Sequence, residues 1–216
     1  MNKSSRINKF KWAGISPFFH HPIVFNFIPH DLFAKVVVDV GCGKGVYGFL
    51  IRATRDTSKA KMIGVDVSDE YLTIAKKNRV YDEYVVASLD KMPFVKSSVD
   101  LILAVEVISH LTKKNGEKFL GDLDKICRGR SIIVCPNMMK HSQPEFVKSD
   151  SHHSKWGADD FKRFGYRVYG FGARVYPPRA LWQVKFYFAL QYILTPISYF
   201  FPRIAGYLVA VKDFDE

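Results

Sequence analysis

The chain has 216 residues, 48% hydrophobic and 25% charged, with a formal charge of +11. This is long enough for one domain with a sizeable core and too apolar for a disordered chain. The basic surplus suits anionic partners such as nucleic acid, acidic lipid headgroups or phosphorylated small molecules, without choosing among them or excluding a role in solubility alone.

The first fourteen residues carry Lys3, Arg6, Lys9 and Lys11, with no apolar run behind them of signal-peptide length. Phe18 to Phe33 is aromatic-rich but broken by Pro22 and Pro29, and reads as a docking segment or helix over a sheet. Lys35 to Val40 (KVVVDV) is a β-branched run that predicts a buried parallel strand. Gly45 to Arg55 reads as a helix and Met62 to Val67 as a second strand. Ser68 and Asp69 offer caps for a helix reaching Arg79. Glu83 to Ala87, Ser98 to Val105 and Ser131 to Cys135 are predicted strands, with a helix from about Lys113 to Cys127 before the last of them. Alternating strands and helices imply right-handed crossovers and a parallel sheet covered on both faces.

Beyond Pro136 the pattern changes. A polar, histidine-rich loop runs from Asn137 to Trp156, then a short helix from Ala158 to Phe164 and a strand from Tyr166 to Val175. An apolar stretch leads to Pro202, and Gly206 to Lys212 is the last strand. A hairpin from Tyr166 to Lys212 with a long insertion at its tip completes a doubly wound α/β sheet of seven strands, mostly parallel. The three cysteines, Cys42, Cys127 and Cys135, lack metal-ligand spacing, so reduced, mostly buried thiols in a cytoplasmic protein are expected.

The main chemical signal is Val36 to Gly45, VVVDVGCGKG. A strand runs into a loop with glycines at 41, 43 and 45, and a helix follows. Glycine lets a ligand approach the main chain, and the helix N-terminus favours an anion such as a carboxylate. The spacing is G-x-G-x-G rather than the dinucleotide G-x-G-x-x-G. Asp39 beside the loop repels a pyrophosphate and attracts an ammonium, so a ligand with an α-amino acid end fits both charges. Asp66 closes the second strand, where a carboxylate can accept hydrogen bonds from ribose hydroxyls.

Over Val36 to about Pro136 the chain resembles the class I S-adenosylmethionine-dependent methyltransferases, with their Rossmann-like fold. The resemblance implies S-adenosyl-L-methionine as cofactor, with Asp39, Gly41, Cys42, Gly43 and Gly45 around its methionine end, Asp66 on the ribose and Val67 beside the adenine. Ala87 to Phe94 looks like the family's third segment, in which an acidic residue often meets the adenine amine. Ser88 stands there instead, so either its hydroxyl or Asp90 serves, with the Leu89 N–H on the ring. Ala104 to Leu111 looks like the fourth segment, placing Val105 and Glu106 under the sulfonium. On this reading residues 34–136 are the cofactor-binding core and 137–216 the substrate side, within a single domain over 1–216.

His110 follows the fourth strand and could act as a general base or cap the next helix. His152-His153-Ser154-Lys155-Trp156 has the H-x-S-x-W form found in small bacterial and archaeal methyltransferases of this class. There His153 could take a proton, while His152 and Trp156 shape the acceptor pocket; equally, the histidines could only tie the loop to the body. A zinc set of His141, His152 and His153 lacks a fitting cysteine or ligand spacing, so no metal is expected.

Phe186 to Pro202 contains no charged residue, but Pro196 interrupts it, and two short helices split near Thr195-Pro196 are expected within an insertion over residues 177–203. With Arg174, Arg179, Lys185 and Arg203 nearby, it reads as an apolar lid at a membrane surface or over a lipophilic pocket, or as a cap on the domain or on a twin subunit in a homodimer. The acceptor expected first is a lipid-linked, glycan or small hydroxyl-bearing molecule near a membrane. RNA or DNA methylation, motivated by the charge, ranks second because no nucleic-acid module is appended, and a non-catalytic cofactor-binding protein is a third reading.

Overall fold

The structure is a computed structural model that describes residues 21–139, 151–174 and 181–214. Its strands are β1 (Val36–Val40), β2 (Lys61–Asp66), β3 (Glu83–Val86), β4 (Val99–Val105), β5 (Cys127–Pro136), β6 (Arg167–Ala173) and β7 (Ala205–Asp213). They form one sheet in the order β3-β2-β1-β4-β5-β7-β6. The first five strands are mutually parallel, and β7 enters antiparallel between β5 and β6. The order reverses between β1 and β4, which opens a crevice at their carboxyl ends where ligands of such sheets bind.

The apolar runs of the central strands serve both faces, because successive residues point to opposite sides. Val37, Leu101, Leu103 and Val209 belong to one buried cluster, and Val38, Ile102, Ile133 and Leu208 to the other. The first face is covered by α1 (His21–Phe25), by Ile28 and Leu32 after it, and by α2 (Val46–Thr54) and α3 (Asp69–Asn78). The aromatic N-terminal segment, from His21 on, therefore packs over the sheet. The second face is covered by α4 (Lys113–Ile126) through Phe119, Leu120 and Leu123, and by α5 (Ala158–Lys162) through Phe161. Capping follows the sequence signals: the Ser68 hydroxyl accepts the Tyr71 N–H at the start of α3, with Asp69 and Glu70 in its first turn and Lys76 and Lys77 in its last.

Two elements differ from expectation. β5 begins at Cys127, directly where α4 ends, and not at Ser131. Its first residues meet a register shift against Val99–Leu101, and a Cβ on Gly129 would fall 2.2 Å from the Asp100 carbonyl oxygen, so only glycine passes there.

The second difference is a correction. The aromatic insertion is one helix, α6 (Leu181–Phe200), with Pro196 inside it, and not two helices split at Thr195-Pro196. Side-chain bonds hold the helix to the sheet edge. The Gln191 amide accepts from the Ala173 N–H at 2.7 Å and donates to the Ala173 carbonyl at 3.3 Å. The Thr195 hydroxyl accepts from the Gly172 N–H at 3.0 Å and donates to the Gln191 carbonyl at 2.6 Å. Beyond the proline, Tyr199 packs on Tyr169 of β6 with ring centroids 4.9 Å apart. With anchors on both sides, the N–H that proline lacks is a tolerable loss.

Candidate active site

Gly41, Gly43 and Gly45 all have positive φ (67°, 51° and 87°), and Gly45 in the left-handed region caps α2. A Cβ on Gly41 would lie 1.9 Å from Val107 Cγ1, so the loop presses against the segment that follows β4. The Gly41 and Cys42 N–H groups both donate to the Val65 carbonyl, at 2.7 and 3.0 Å. The Gly43 N–H donates to Asp66 Oδ2 at 2.9 Å and the Ser68 N–H to Asp66 Oδ1 at 2.8 Å. Asp66 is thus fixed in orientation by main-chain donors to each of its oxygens. No side chain caps α2 and no acidic residue sits in its first turn, which leaves that end suited to a carboxylate. Cys42 is buried, as are Cys127 and Cys135.

Three carboxyl groups stand at the ends of three neighbouring strands. Asp39 on β1 is 3% exposed and accepts the Tyr81 hydroxyl at 2.5 Å. Burial pushes its pKa up to about 7, the Tyr81 bond lowers it, and the Asp66 charge raises it. Glu106 follows β4 with φ 61°, unusual for a residue other than glycine, and burial pushes its pKa up to about 8. Asp66 is itself 7% exposed. The buried pair of Asp39 and Asp66, which feel each other's charge, favours a ligand that brings positive charge. S-adenosylmethionine carries an ammonium and a sulfonium at one end and a ribose in the middle, so the residues present fit it.

Tyr81, which holds Asp39, is a residue that sequence reading did not single out. Added Cβ atoms on Gly48 and Gly64 would each fall 2.5 Å from its ring, and one on Gly45 would fall 3.4 Å away. A glycine inside a helix and another inside a strand are disfavoured unless something bulky passes, and that was the available signal.

Where the adenine is expected, Val67 is 49% exposed directly after β2. The Ser88 hydroxyl donates to Asp90 at 2.5 Å, and this bond holds the Asp90 carboxyl below its ordinary range. The two alternatives for the missing acidic residue are therefore coupled to each other. Leu89 opens a short 3₁₀ turn over Leu89–Lys91.

Where the acceptor is expected, His110 and His152 meet edge to face with ring centroids 4.7 Å apart. His110 Nδ1 lies 3.1 Å from the Ser151 carbonyl oxygen, which makes Nδ1 the protonated nitrogen and Nε2 the acceptor. The Ser109 carbonyl accepts the N–H groups of His153 and Ser154, at 2.8 and 3.1 Å, so the H-x-S-x-W loop is tied to the end of β4. His153 is exposed. His141 lies outside the described residues, and among those described no group of three His, Cys, Asp or Glu could hold a metal.

Trp156 requires a correction. It does not wall a pocket: it is 0% exposed, donates through Nε1 to Ser154 Oγ at 2.8 Å and packs on Phe161. Lys113 Nζ sits 3.7 Å from its ring centroid, and a Cβ on Gly116 of α4 would lie 2.3 Å from Cζ2. The indole anchors the histidine loop beneath α4, because so large an apolar ring gains more from the core than from a loop surface.

Residues 37–129 match the family model of a methyltransferase domain. A probable S-adenosylmethionine-dependent methyltransferase of Mycobacterium tuberculosis is 23% identical over 140 residues, which is 64% of this chain and 49% of that protein. The chain thus spans about half the length of that curated relative. Among solved structures, an S-adenosylmethionine-dependent methyltransferase from Mesorhizobium loti superimposes with a TM-score of 0.59 at 15% identity, covering 89% of this chain and 96% of that one. A phosphoethanolamine N-methyltransferase of Haemonchus contortus, in complex with S-adenosyl-L-methionine, superimposes with a TM-score of 0.61 at 13% identity, covering 94% and 54%. These two likenesses concern the fold. Residues 37–129 thus match a methyltransferase domain, the glycine loop with Asp39 and Asp66 lies within that stretch, and the chain is similar there to S-adenosylmethionine-dependent methyltransferases.

Proposed function

We propose that this protein transfers the methyl group of S-adenosylmethionine to a hydroxyl-bearing acceptor, lipid-linked or glycan, held between the glycine loop and the histidine loop. The observation that carries this reading is the pairing of His110 with His152 at the end of β4, three residues beyond the Val107 that touches Gly41. The Ser151 carbonyl fixes the His110 tautomer and leaves Nε2 as a base. When bound, the cofactor supplies an electrophilic methyl on a sulfonium. Asp39 and the first turn of α2 hold its amino-acid end, Asp66 its ribose, and Val67, Ser88 and Leu89 border the adenine. Cys42, Val105 and Glu106 complete the wall near the sulfonium.

His110 Nε2 takes the acceptor's hydroxyl proton as the oxygen attacks, with His153 as the second candidate base and His152 orienting the pair. In-line placement supplies much of the acceleration, and the base adds to it. Incubation with radiolabelled S-adenosylmethionine and fractionated cell extract tests the acceptor: label is expected in the lipid or glycan fraction, and label confined to RNA or DNA would replace this reading with nucleic-acid methylation. His110→Ala should slow turnover by about 10²-fold or more while cofactor affinity holds.

A further inference from the structure

α6 is inside out. Its inward positions are polar: Gln191 and Ser198 are each 2% exposed, and Thr195 bonds the β6 backbone. Its outward positions are apolar. Phe186, Ile193, Ile197 and Phe200 recur at helical spacing and are 71%, 70%, 52% and 75% exposed. Phe201 and Ile204 continue the apolar surface past the helix end. A helix that stabilises only its own domain turns its apolar stripe to the core and its polar side to water. Here Gln191 and Thr195 satisfy the exposed backbone of an edge strand, which frees the apolar side for something outside the domain.

The charge of this part of the sequence points to what covers the face. From Phe161 to Lys212 the sequence holds eight Lys or Arg and no Asp or Glu. Arg203, directly after the apolar surface, has a side chain 79% exposed, and Arg174 donates to its carbonyl at 2.8 Å. Of these, Arg163, Arg167, Arg203 and Lys212 pair with Asp160, Asp213, Asp159 and Asp124, yet the whole chain keeps +11. A second copy would bring a like-charged segment against this one, which opposes association. An anionic surface attracts it.

We propose that the outer face of α6 docks on an anionic lipid bilayer, with the helix lying in the interface and Phe186, Ile193, Ile197 and Phe200 at the acyl boundary. Among the described residues no helix is long and apolar enough to cross a membrane. α6 also leaves β6 and returns to β7 of the same sheet, so it rests on the bilayer and does not span it. The inference rests on the helix and its charge, not on acceptor chemistry.

The test is flotation of the full chain with phosphatidylglycerol-rich vesicles and with pure phosphatidylcholine vesicles, read beside calorimetric titration with S-adenosylhomocysteine. Binding is expected to the anionic vesicles alone and to weaken with salt. The double variant Ile193→Gln/Ile197→Gln, at two exposed positions, should weaken vesicle binding by about tenfold or more and leave S-adenosylhomocysteine binding unchanged. No binding to anionic vesicles overturns the proposal, as does binding that the double variant leaves intact. A concentration-dependent dimer in analytical ultracentrifugation that the double variant dissolves assigns the face to a second copy and overturns it equally. The calorimetric arm reports on the cofactor site by itself, so failure at the membrane and failure of the methyltransferase reading are separate results.

Discussion

At the scale of single residues, the site turns on a buried aspartate and the tyrosine that holds it. Asp39 sits where the cofactor's ammonium is expected, yet without a cation its carboxyl titrates at about 7. A ligand that binds the ionised form must therefore bind more weakly as pH falls through that value. Affinity for S-adenosylhomocysteine, which shares the ammonium, should fall below about pH 7, and calorimetry from pH 6 to 8 checks it. Tyr81→Phe removes the one bond that lowers the Asp39 pKa, so the midpoint should move up by about a unit and affinity at neutral pH should drop by about tenfold. A midpoint unchanged in Tyr81→Phe would show that the tyrosine only fills space. Asp66→Asn keeps the shape but replaces with an NH2 donor one of the two oxygens that accept the main-chain N–H groups of Gly43 and Ser68, one each. It should weaken binding by about tenfold or more, with circular dichroism confirming that the fold persists.

At the scale of elements, β6 and α6 depend on each other through a few polar contacts. Gln191 offers both the donor and the acceptor that Ala173 needs. Gln191→Ala leaves both main-chain groups of Ala173 without that partner in a buried place and should cost about 1–3 kcal/mol, measured by chemical denaturation. A loss below about half a kcal/mol would mean that water serves the edge as well.

This contact also shows where sequence reading reached its limit. The strands Val36–Val40, Lys61–Asp66 and Val99–Val105 were legible because short apolar runs between helical segments have few other readings. The fate of Pro196 was not, since local propensity breaks a helix there and only the anchors on β6 override it. Trp156 misled for a related reason: its neighbours in sequence are a polar loop, whereas its neighbours in space are Gly116 and Phe161. Asp39, Asp66 and the three glycines could be singled out from spacing as candidates. Tyr81 could be inferred only from the gaps that Gly48 and Gly64 leave for it.

At the scale of the whole molecule, the same buried carboxyls that prepare the site burden the fold. Asp39 titrates at about 7 and Glu106 at about 8, both above their ordinary values of 3.8 and 4.5. The folded chain therefore holds protons that the unfolded chain has already released, and stability must fall as pH rises across that window. His21, whose burial lowers its pKa from 6.5, acts in the opposite direction only below that value. Asp100, Asp122 and Asp160, held low by their basic neighbours, support the fold above pH 4 and lose that support only in stronger acid. Between about pH 6.5 and 8 the two raised carboxyls thus dominate, and the cofactor-free protein should melt at lower temperature with each step upward in pH. A ligand that brings positive charge beside Asp39 and Asp66 eases that part of the burden, so the rise in melting temperature on adding S-adenosylmethionine should be larger at pH 8 than at pH 6.5. Asp39→Asn with Glu106→Gln should flatten the ligand-free profile over the same range, because carboxamides do not titrate. A ligand-free melting temperature constant from pH 6.5 to 8, or a ligand effect of equal size at both ends, would mean that these carboxyls are already balanced within the protein and await no cation.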